Sequence, residues 1–355
     1  MIPFYINAKF LQDAQLSGVG RYGLEIACRL HQAFPKAPLL VPKNVPQKWF
    51  DLLPLQKIGR LHGAAWEQID LPLYLRNENV PLLNLANTAP LFYRNNALVI
   101  HDVLALTNPH WYSRKARFYF SLLLPRCARS SSCLISVSDY SRSEIARIFK
   151  ISKEEILVAP CSAGDFWKPD LSTNTEGRYI LGVSSIDPRK NFATLIRAFL
   201  LLDDPSLRLF IIGNRHKAFA SSNLQIPKEA INRVIFRGFL SDVELRKLYT
   251  HAEAFVFPSL AEGFGIPPLE AMRCSCPVIV SDIPVFRENY QEAALYIDPL
   301  NAQEIADTIA DLLNNFPMRQ NLIRKGLERS LAFSWDATAE TILSALEKMR
   351  YSESN

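Results

Sequence analysis

Short apolar runs alternate with helix-length amphipathic segments along the whole chain, and this alternation limits the fold more than any other feature. In the first half, residues 2–7, 81–86, 97–101, 133–137 and 156–160 read as strands, and residues 21–34, 113–129 and 141–149 as helices. In the second half, strands are expected at 179–184, 207–212, 234–239, 252–258, 277–280 and 294–297, with a helix at 191–202. Ser241-Asp242-Val243-Glu244 has the form of a capping box that opens another helix. Runs this short and apolar suit strands buried on both faces, and βα alternation arranges such strands in parallel. Residues 164–177 break the pattern with Trp167-Lys168-Pro169-Asp170 and a polar tract from Ser172 to Glu176, which reads as a linker. A chain of 355 residues has room for two domains. The expected fold class is α/β, with two Rossmann-like domains, 1–165 and 178–334, whose parallel sheets face a central cleft. Ligands of such sheets bind beyond the carboxyl ends of the strands.

Charge separates the halves. Residues 1–170 hold 20 Lys and Arg against 13 Asp and Glu, while residues 171–355 hold 20 against 22. The first half therefore carries +7 and the second −2, which suggests an anionic partner for the first: a membrane surface, a lipid diphosphate or nucleic acid. Trp111-Tyr112-Ser113-Arg114-Lys115-Ala116-Arg117-Phe118-Tyr119-Phe120 is both basic and aromatic. It suits a membrane interface or single-stranded nucleic acid, and equally an ordinary helix with a core face. The six cysteines lie in mostly apolar surroundings, and Cys274-x-Cys276 lacks the second ligand pair of a zinc site. This pattern suits a reducing cytoplasm. The first residues lack the basic and apolar regions of a signal peptide, and no stretch approaches the ~20 apolar residues of a membrane span.

Residues 259–272 carry the densest chemical signal. An apolar strand leads into Glu262-Gly263-Phe264-Gly265, followed by Ile266-Pro267-Pro268-Leu269-Glu270-Ala271-Met272. The glycines let the backbone turn close to a ligand, and the prolines fit a first helical turn. A helix N-terminus attracts phosphate, and carboxylates accept hydroxyl hydrogen bonds. The stretch resembles the Glu-x7-Glu motif of retaining glycosyltransferases of family 4, which have the GT-B fold.

Other motifs are consistent with that resemblance. Gly18-Val19-Gly20 lies in a Gly-x-Gly-x-x-Gly sequence, but it does not follow its strand directly and no acidic residue stands near position 40. A dinucleotide fingerprint is thus excluded by context. The loop instead resembles the family's N-terminal glycine loop, which faces a diphosphate; a plain helix cap is the simpler reading. His101-Asp102 ends a strand, and the resemblance implies that His101 contacts the donor sugar. Arg189 and Lys190 stand at an expected helix start, where fixed cations would neutralise a leaving diphosphate. Many family members have Gly-Arg where this chain has Ser184-Ser185. Gly238, Phe239 and Leu240 would flank the nucleotide base. Ser138, Tyr140 and Ser141 resemble a helix start that faces acceptor phosphate, or form only an N-cap.

The resemblance implies a metal-independent, retaining hexosyltransferase in polysaccharide biosynthesis that uses a nucleotide sugar as co-substrate and needs no cofactor. In it Glu270 holds ribose hydroxyls, and Glu262 holds sugar hydroxyls with help from the loop backbone. GDP-mannose is the first expectation for the donor, from likeness to O-antigen mannosyltransferases, and UDP-sugars stay open. The acceptor would be a hydroxyl of a glycan or a lipid-linked glycan, reached from the cytoplasm, with peripheral contact at the inner membrane face and no nucleic acid partner. A sugar phosphorylase of the same fold and a non-catalytic sugar-nucleotide binder are the alternatives. The helix near 335–355 would in this family cross back onto the first domain.

Overall fold

The computed structural model describes residues 4–214, 219, 226 and 231–352. The expected first strand begins in residues 2 and 3, which lie outside the described residues. Two compact units divide the chain, one of residues 1–106, 118–161 and 335–355, the other of 107–117 and 162–334.

The first unit is built on a parallel sheet of β1 (Tyr5–Asn7), β2 (Leu39–Val41), β3 (Leu55–Lys57), β4 (Leu82–Asn84), β5 (Asn96–Ile100), β6 (Cys133–Ser136) and β7 (Ile156–Val158). Their order is β3-β2-β1-β4-β5-β6-β7. The helices are α1 (Gly18–Ala33), α2 (Gly63–Ala65), α3 (Leu71–Leu75), α4 (Leu104–Thr107), α5 (Arg114–Ser130) and α6 (Asp139–Phe149). Between α2 and α3 the chain makes a π-helical turn, Trp66–Asp70. β4 and β5 are fully buried, as strands covered on both faces must be. Leu98 and Ile100 of β5 pack with Leu123, Leu124 and Cys127 of α5 and Ile145 of α6.

The second unit repeats the plan with β8 (Tyr179–Val183), β9 (Arg208–Ile212), β10 (Val234–Gly238), β11 (Ala254–Phe257), β12 (Val278–Ser281) and β13 (Leu295–Ile297). The order is β10-β9-β8-β11-β12-β13, again all parallel. Its helices are α7 (Phe192–Leu200), α8 (Asp242–His251), α9 (Ile266–Arg273), α10 (Pro284–Tyr290), α11 (Ala302–Asn314) and α12 (Phe316–Leu331). The capping box at Ser241 and Glu244 forms as expected. Phe192, Leu195, Ile196 and Phe199 of α7 pack with Ile180, Leu209 and Ile211, together with Ile305 and Ile309 of α11. Each such side chain contributes roughly 1.5–3 kcal/mol when fully buried. The last helix, α13 (Trp335–Ser352), belongs to the first unit, where Trp335 meets the Tyr22 ring edge-on at 5.6 Å.

In each sheet the strand order reverses beside the central strand, between β1 and β4 and between β8 and β11. This reversal splays the following loops apart and opens a crevice where open α/β sheets take ligands. Gly213 keeps one wall of the second crevice tight. Its φ is +139°, and a Cβ there would stand 1.8 Å from the Ser184 carbonyl oxygen.

Candidate active site

The loops after β8 and β11 meet through charge. After β8, Asp187 caps a single 3-10 turn, Pro188–Lys190, by accepting the Arg189 backbone N–H at 3.1 Å. Asn191 then adopts a left-handed conformation with φ of 57°, and α7 starts only at Phe192. Arg189 and Lys190 therefore stand in the turn just before the helix. Both are buried, as is Glu262 from the loop after β11. Arg189 donates from Nη1 to Glu262 Oε2 at 2.7 Å and to the Ala261 carbonyl at 3.3 Å, and Lys190 donates from Nζ to Glu262 Oε1. The Leu260 N–H closes the link by donating to the Arg189 carbonyl at 2.8 Å.

One buried carboxylate thus serves two buried cations. Burial raises the Glu262 pKa, but Arg189 and Lys190 more than offset it, so the group sits below the ordinary carboxylate range. Asp187 adds a second carboxylate, with Oδ1 3.9 Å from Arg189 Nε. The formal charges of these four side chains cancel. A diphosphate entering here would have to compete with Glu262 for the cations.

The glycine loop is held from below. Gly265 has φ of 95°, and a Cβ on it would meet the Tyr290 hydroxyl at 2.4 Å. Asn289 Nδ2 donates to the Phe264 carbonyl at 2.9 Å, and the Tyr290 hydroxyl donates to the carbonyls of Phe264 and Gly265. These bonds hold the loop backbone at Phe264 and Gly265. Pro267 and Pro268 remove two N–H groups from the first turn of α9, so Gly265 and Ile266 keep its terminal donors. Glu270 is buried in the same helix, and one of its oxygens accepts from the Tyr249 hydroxyl at 3.1 Å. Gly238 closes β10 with φ of 65° and accepts from the Gly213 N–H at 2.7 Å. Phe239 beyond it is 48% exposed and Leu240 is half-buried.

In the first unit, Gly18, Val19 and Gly20 form the first turn of α1, and the Gly20 N–H donates to the Ser17 hydroxyl at 3.3 Å. His101 is buried just past β5. Its N–H donates to Asn87 Oδ1 at 2.7 Å, and its Nε2 lies 3.0 Å from the Leu85 carbonyl, so the donating tautomer carries the proton on Nε2. Burial lowers its pKa, partly offset by the Leu85 carbonyl and Asp102, which keeps the ring neutral at pH 7. The Tyr22 ring of α1 packs edge-on against it at 4.9 Å. Ser138 caps α6 by accepting the Ser141 N–H at 3.0 Å, and Tyr140 is half-buried. Sequence reasoning missed Tyr249, Asn289, Tyr290 and Gly213. The first three lie 21, 25 and 25 residues from the groups they hold, so no local pattern marks them.

Two parallel sheets of this order define the GT-B fold of nucleotide-sugar glycosyltransferases. The crystal structure of Anabaena HepE in complex with UDP and glucose is similar with a TM-score of 0.75, over 98% of this chain and 99% of that one, at 15% identity. Residues 164–329 match the family model "Glycosyl transferases group 1". The O-antigen chain mannosyltransferase RfbU of Salmonella typhimurium is 32% identical over 280 residues, 74% of this chain and 77% of that protein. The O-antigen chain mannosyltransferase B of Escherichia coli is 29% identical over 366 residues, 92% and 95% of the two chains. The chain belongs to the group 1 glycosyltransferase family and is a glycosyltransferase.

The ion-pair cluster makes a stability prediction. Glu262→Gln keeps the shape and removes the charge that both cations share. Breaking a buried pair in this way costs about 3–5 kcal/mol, measured as unfolding free energy in urea. The folded-state pKa of Glu262 lies below its unfolded value near 4.5, so its stabilisation is present above that pH and lost as pH falls through the folded value. The variant should show a flatter acid limb. Unchanged stability and an unchanged acid limb would contradict the burial of this charge.

Proposed function

We propose that this glycosyltransferase transfers mannose from GDP-mannose, with retention of configuration, to a hydroxyl of a glycan or lipid-linked glycan in O-antigen-type polysaccharide synthesis. The observation that carries the reading is the buried Arg189–Glu262–Lys190 cluster at the reversal point of the second sheet, in a chain matched along most of its length by O-antigen mannosyltransferases. In this reading the bond from the sugar's anomeric carbon to the diphosphate breaks as a bond to the acceptor oxygen forms, and the leaving phosphate takes the acceptor proton. Arg189 and Lys190 exchange Glu262 for the diphosphate, stabilising charge that grows as the bond breaks. Glu262, released, accepts from sugar hydroxyls. Glu270, oriented by Tyr249, accepts from the ribose, and the backbone at Gly238–Leu240 borders the base. By the family resemblance, His101 serves the sugar, the Gly18–Gly20 turn its phosphates, and Ser138, Tyr140 and Ser141 the acceptor. Because the cations belong to the protein, turnover proceeds without a divalent ion or cofactor.

The test is direct. GDP should raise the melting temperature more than UDP, GDP-mannose should turn over in EDTA, and Arg189→Ala should lower kcat on the order of 10²-fold or more. Wild-type turnover by Arg189→Ala, or activity abolished by EDTA and restored by Mg²⁺, would remove the cations from the proposed role.

A peripheral membrane position extends the reading. No helix among the described residues is long and apolar enough to cross a membrane. The aromatic-basic stretch divides in the structure. Trp111 is buried, while Phe118 is 69% exposed and Leu122 is also exposed, one helical turn further along α5. Arg114, Lys115, Arg117, Arg126 and Arg129 are exposed on the same helix, which contains no acidic residue. Apolar groups among cations suit an anionic bilayer. Vesicles containing phosphatidylglycerol should sediment the protein at low salt, and Phe118→Ser with Leu122→Ser should lose that binding. Equal binding to neutral vesicles would contradict it.

A further inference from the structure

A buried polar cluster occupies the reversal point of the first sheet, where β1 and β4 part, and none of the roles above uses it. Lys9 lies just past β1 and Thr88 just past β4. Glu67, only 1% exposed, reaches them from the π-helical turn, an irregularity frequent at functional sites. Lys9 Nζ lies 2.7 Å from Glu67 Oε2 and donates to Thr88 Oγ1 at 3.1 Å. Thr88 Oγ1 donates to Glu67 Oε2 at 2.8 Å, and Asn7 Nδ2 to Glu67 Oε1 at 3.0 Å. The Tyr119 hydroxyl of α5 completes the set at 3.4 Å from Thr88 Oγ1 and 3.5 Å from Glu67 Oε2.

Three features distinguish this cluster from a packing element. A buried ion pair is seldom more stabilising than apolar groups of the same volume, so its presence calls for another reason. The cluster reaches solvent, because the Lys9 side chain keeps 16% exposure. The Tyr119 contacts exceed the ~2.5–3.0 Å of a well-formed O–H···O bond, so a ligand hydroxyl can displace them. Asn87, next to Thr88 and left-handed with φ of 64°, accepts the His101 N–H and so joins the cluster to the residue proposed to meet the sugar.

We propose that Lys9, Glu67, Thr88 and Tyr119 form a subsite for the hydroxyls of a neutral acceptor sugar, with Glu67 as the positioning residue that cancels the Lys9 charge. The inference rests on the glycosyl-transfer reading above and assigns this subsite to the glycan end of the acceptor, not to a phosphate. An ammonium already matched by a carboxylate offers directed donors with no net pull on an anion. Burial lowers the Lys9 pKa but Glu67 and Tyr119 more than offset it, so Lys9 keeps its ammonium. A phosphate placed here would also meet Glu67.

Saturation-transfer NMR on the full-length protein, with α-linked mannobiose and mannose 6-phosphate as probes and GDP affinity as a parallel measurement, tests the assignment. Wild type should bind mannobiose in preference to mannose 6-phosphate. Tyr119→Phe removes one oxygen at the half-buried rim and should weaken mannobiose about fivefold, the worth of one neutral hydrogen bond, without changing GDP affinity. Glu67→Gln uncovers Lys9 and should turn the preference toward mannose 6-phosphate, a change that loss of a purely structural ion pair does not produce. Failure of wild type to bind GDP would sink the donor reading and leave the sugar result standing. Equal mannobiose affinity in wild type and Tyr119→Phe, no mannobiose binding by wild type, or a wild-type preference for the phosphorylated sugar would overturn the subsite.

Discussion

A single carboxylate, Glu262, holds two buried cations that the fold could not otherwise keep. Arg189 and Lys190 are enclosed by protein, and an isolated ionised group there would carry a desolvation cost of several kcal/mol. The surrounding architecture serves that arrangement. Asp187 caps the turn that presents the cations, the left-handed Asn191 delays α7 until the turn is complete, and the Leu260 N–H joins the turn to the loop that carries Glu262. Below that loop, Asn289 and Tyr290 hold its carbonyls, which explains why Gly265 can tolerate no side chain. The site is ionic in character, and under the proposed function a diphosphate takes over the role of counter-charge from Glu262.

Much of the fold was legible because the strands of a doubly covered parallel sheet are apolar on both faces. Eleven expected strands have counterparts in the structure, with ends differing by a residue or more. β2 and β3 escaped notice for a physical reason. Each has only three residues: β2 is apolar but is cut short between Pro38 and Pro42, and β3 is an edge strand whose Gln56 and Lys57 are exposed, so it gives no apolar run. Within the site, the Glu262–Glu270 stretch was visible as a local pattern. The direct pairing of Glu262 with Arg189 and Lys190 was not, because the partners stand 73 and 72 residues apart. Ser17-Gly18-Val19-Gly20 shows a different limit. A capped helix start and an anion-binding start have the same residues, and in the structure the Gly20 N–H is already turned toward Ser17.

The two sheets place chemistry at equivalent points of their topology but with different electrical character. In the second unit the reversal point gathers two cations on one carboxylate, with Asp187 at the margin. In the first it gathers one ammonium and one carboxylate within a ring of neutral donors and acceptors. The basic excess of the first half therefore does not arise at this inner cluster. Part of it lies on the exposed side of α5, in Arg114, Lys115, Arg117, Arg126 and Arg129. Under the proposals above, the paired cations face the anionic donor, the neutral cluster the acceptor sugar and the basic helix surface the membrane.

Under the proposed function the counter-charge passes from Glu262 to the diphosphate. A crystal structure of the protein with GDP bound tests it most directly. The expected result is a phosphate oxygen within hydrogen-bond distance of Arg189 or Lys190, and Glu262 released from at least one of them. A bound nucleotide with both Glu262 ion pairs intact and no phosphate contact to either cation would contradict it.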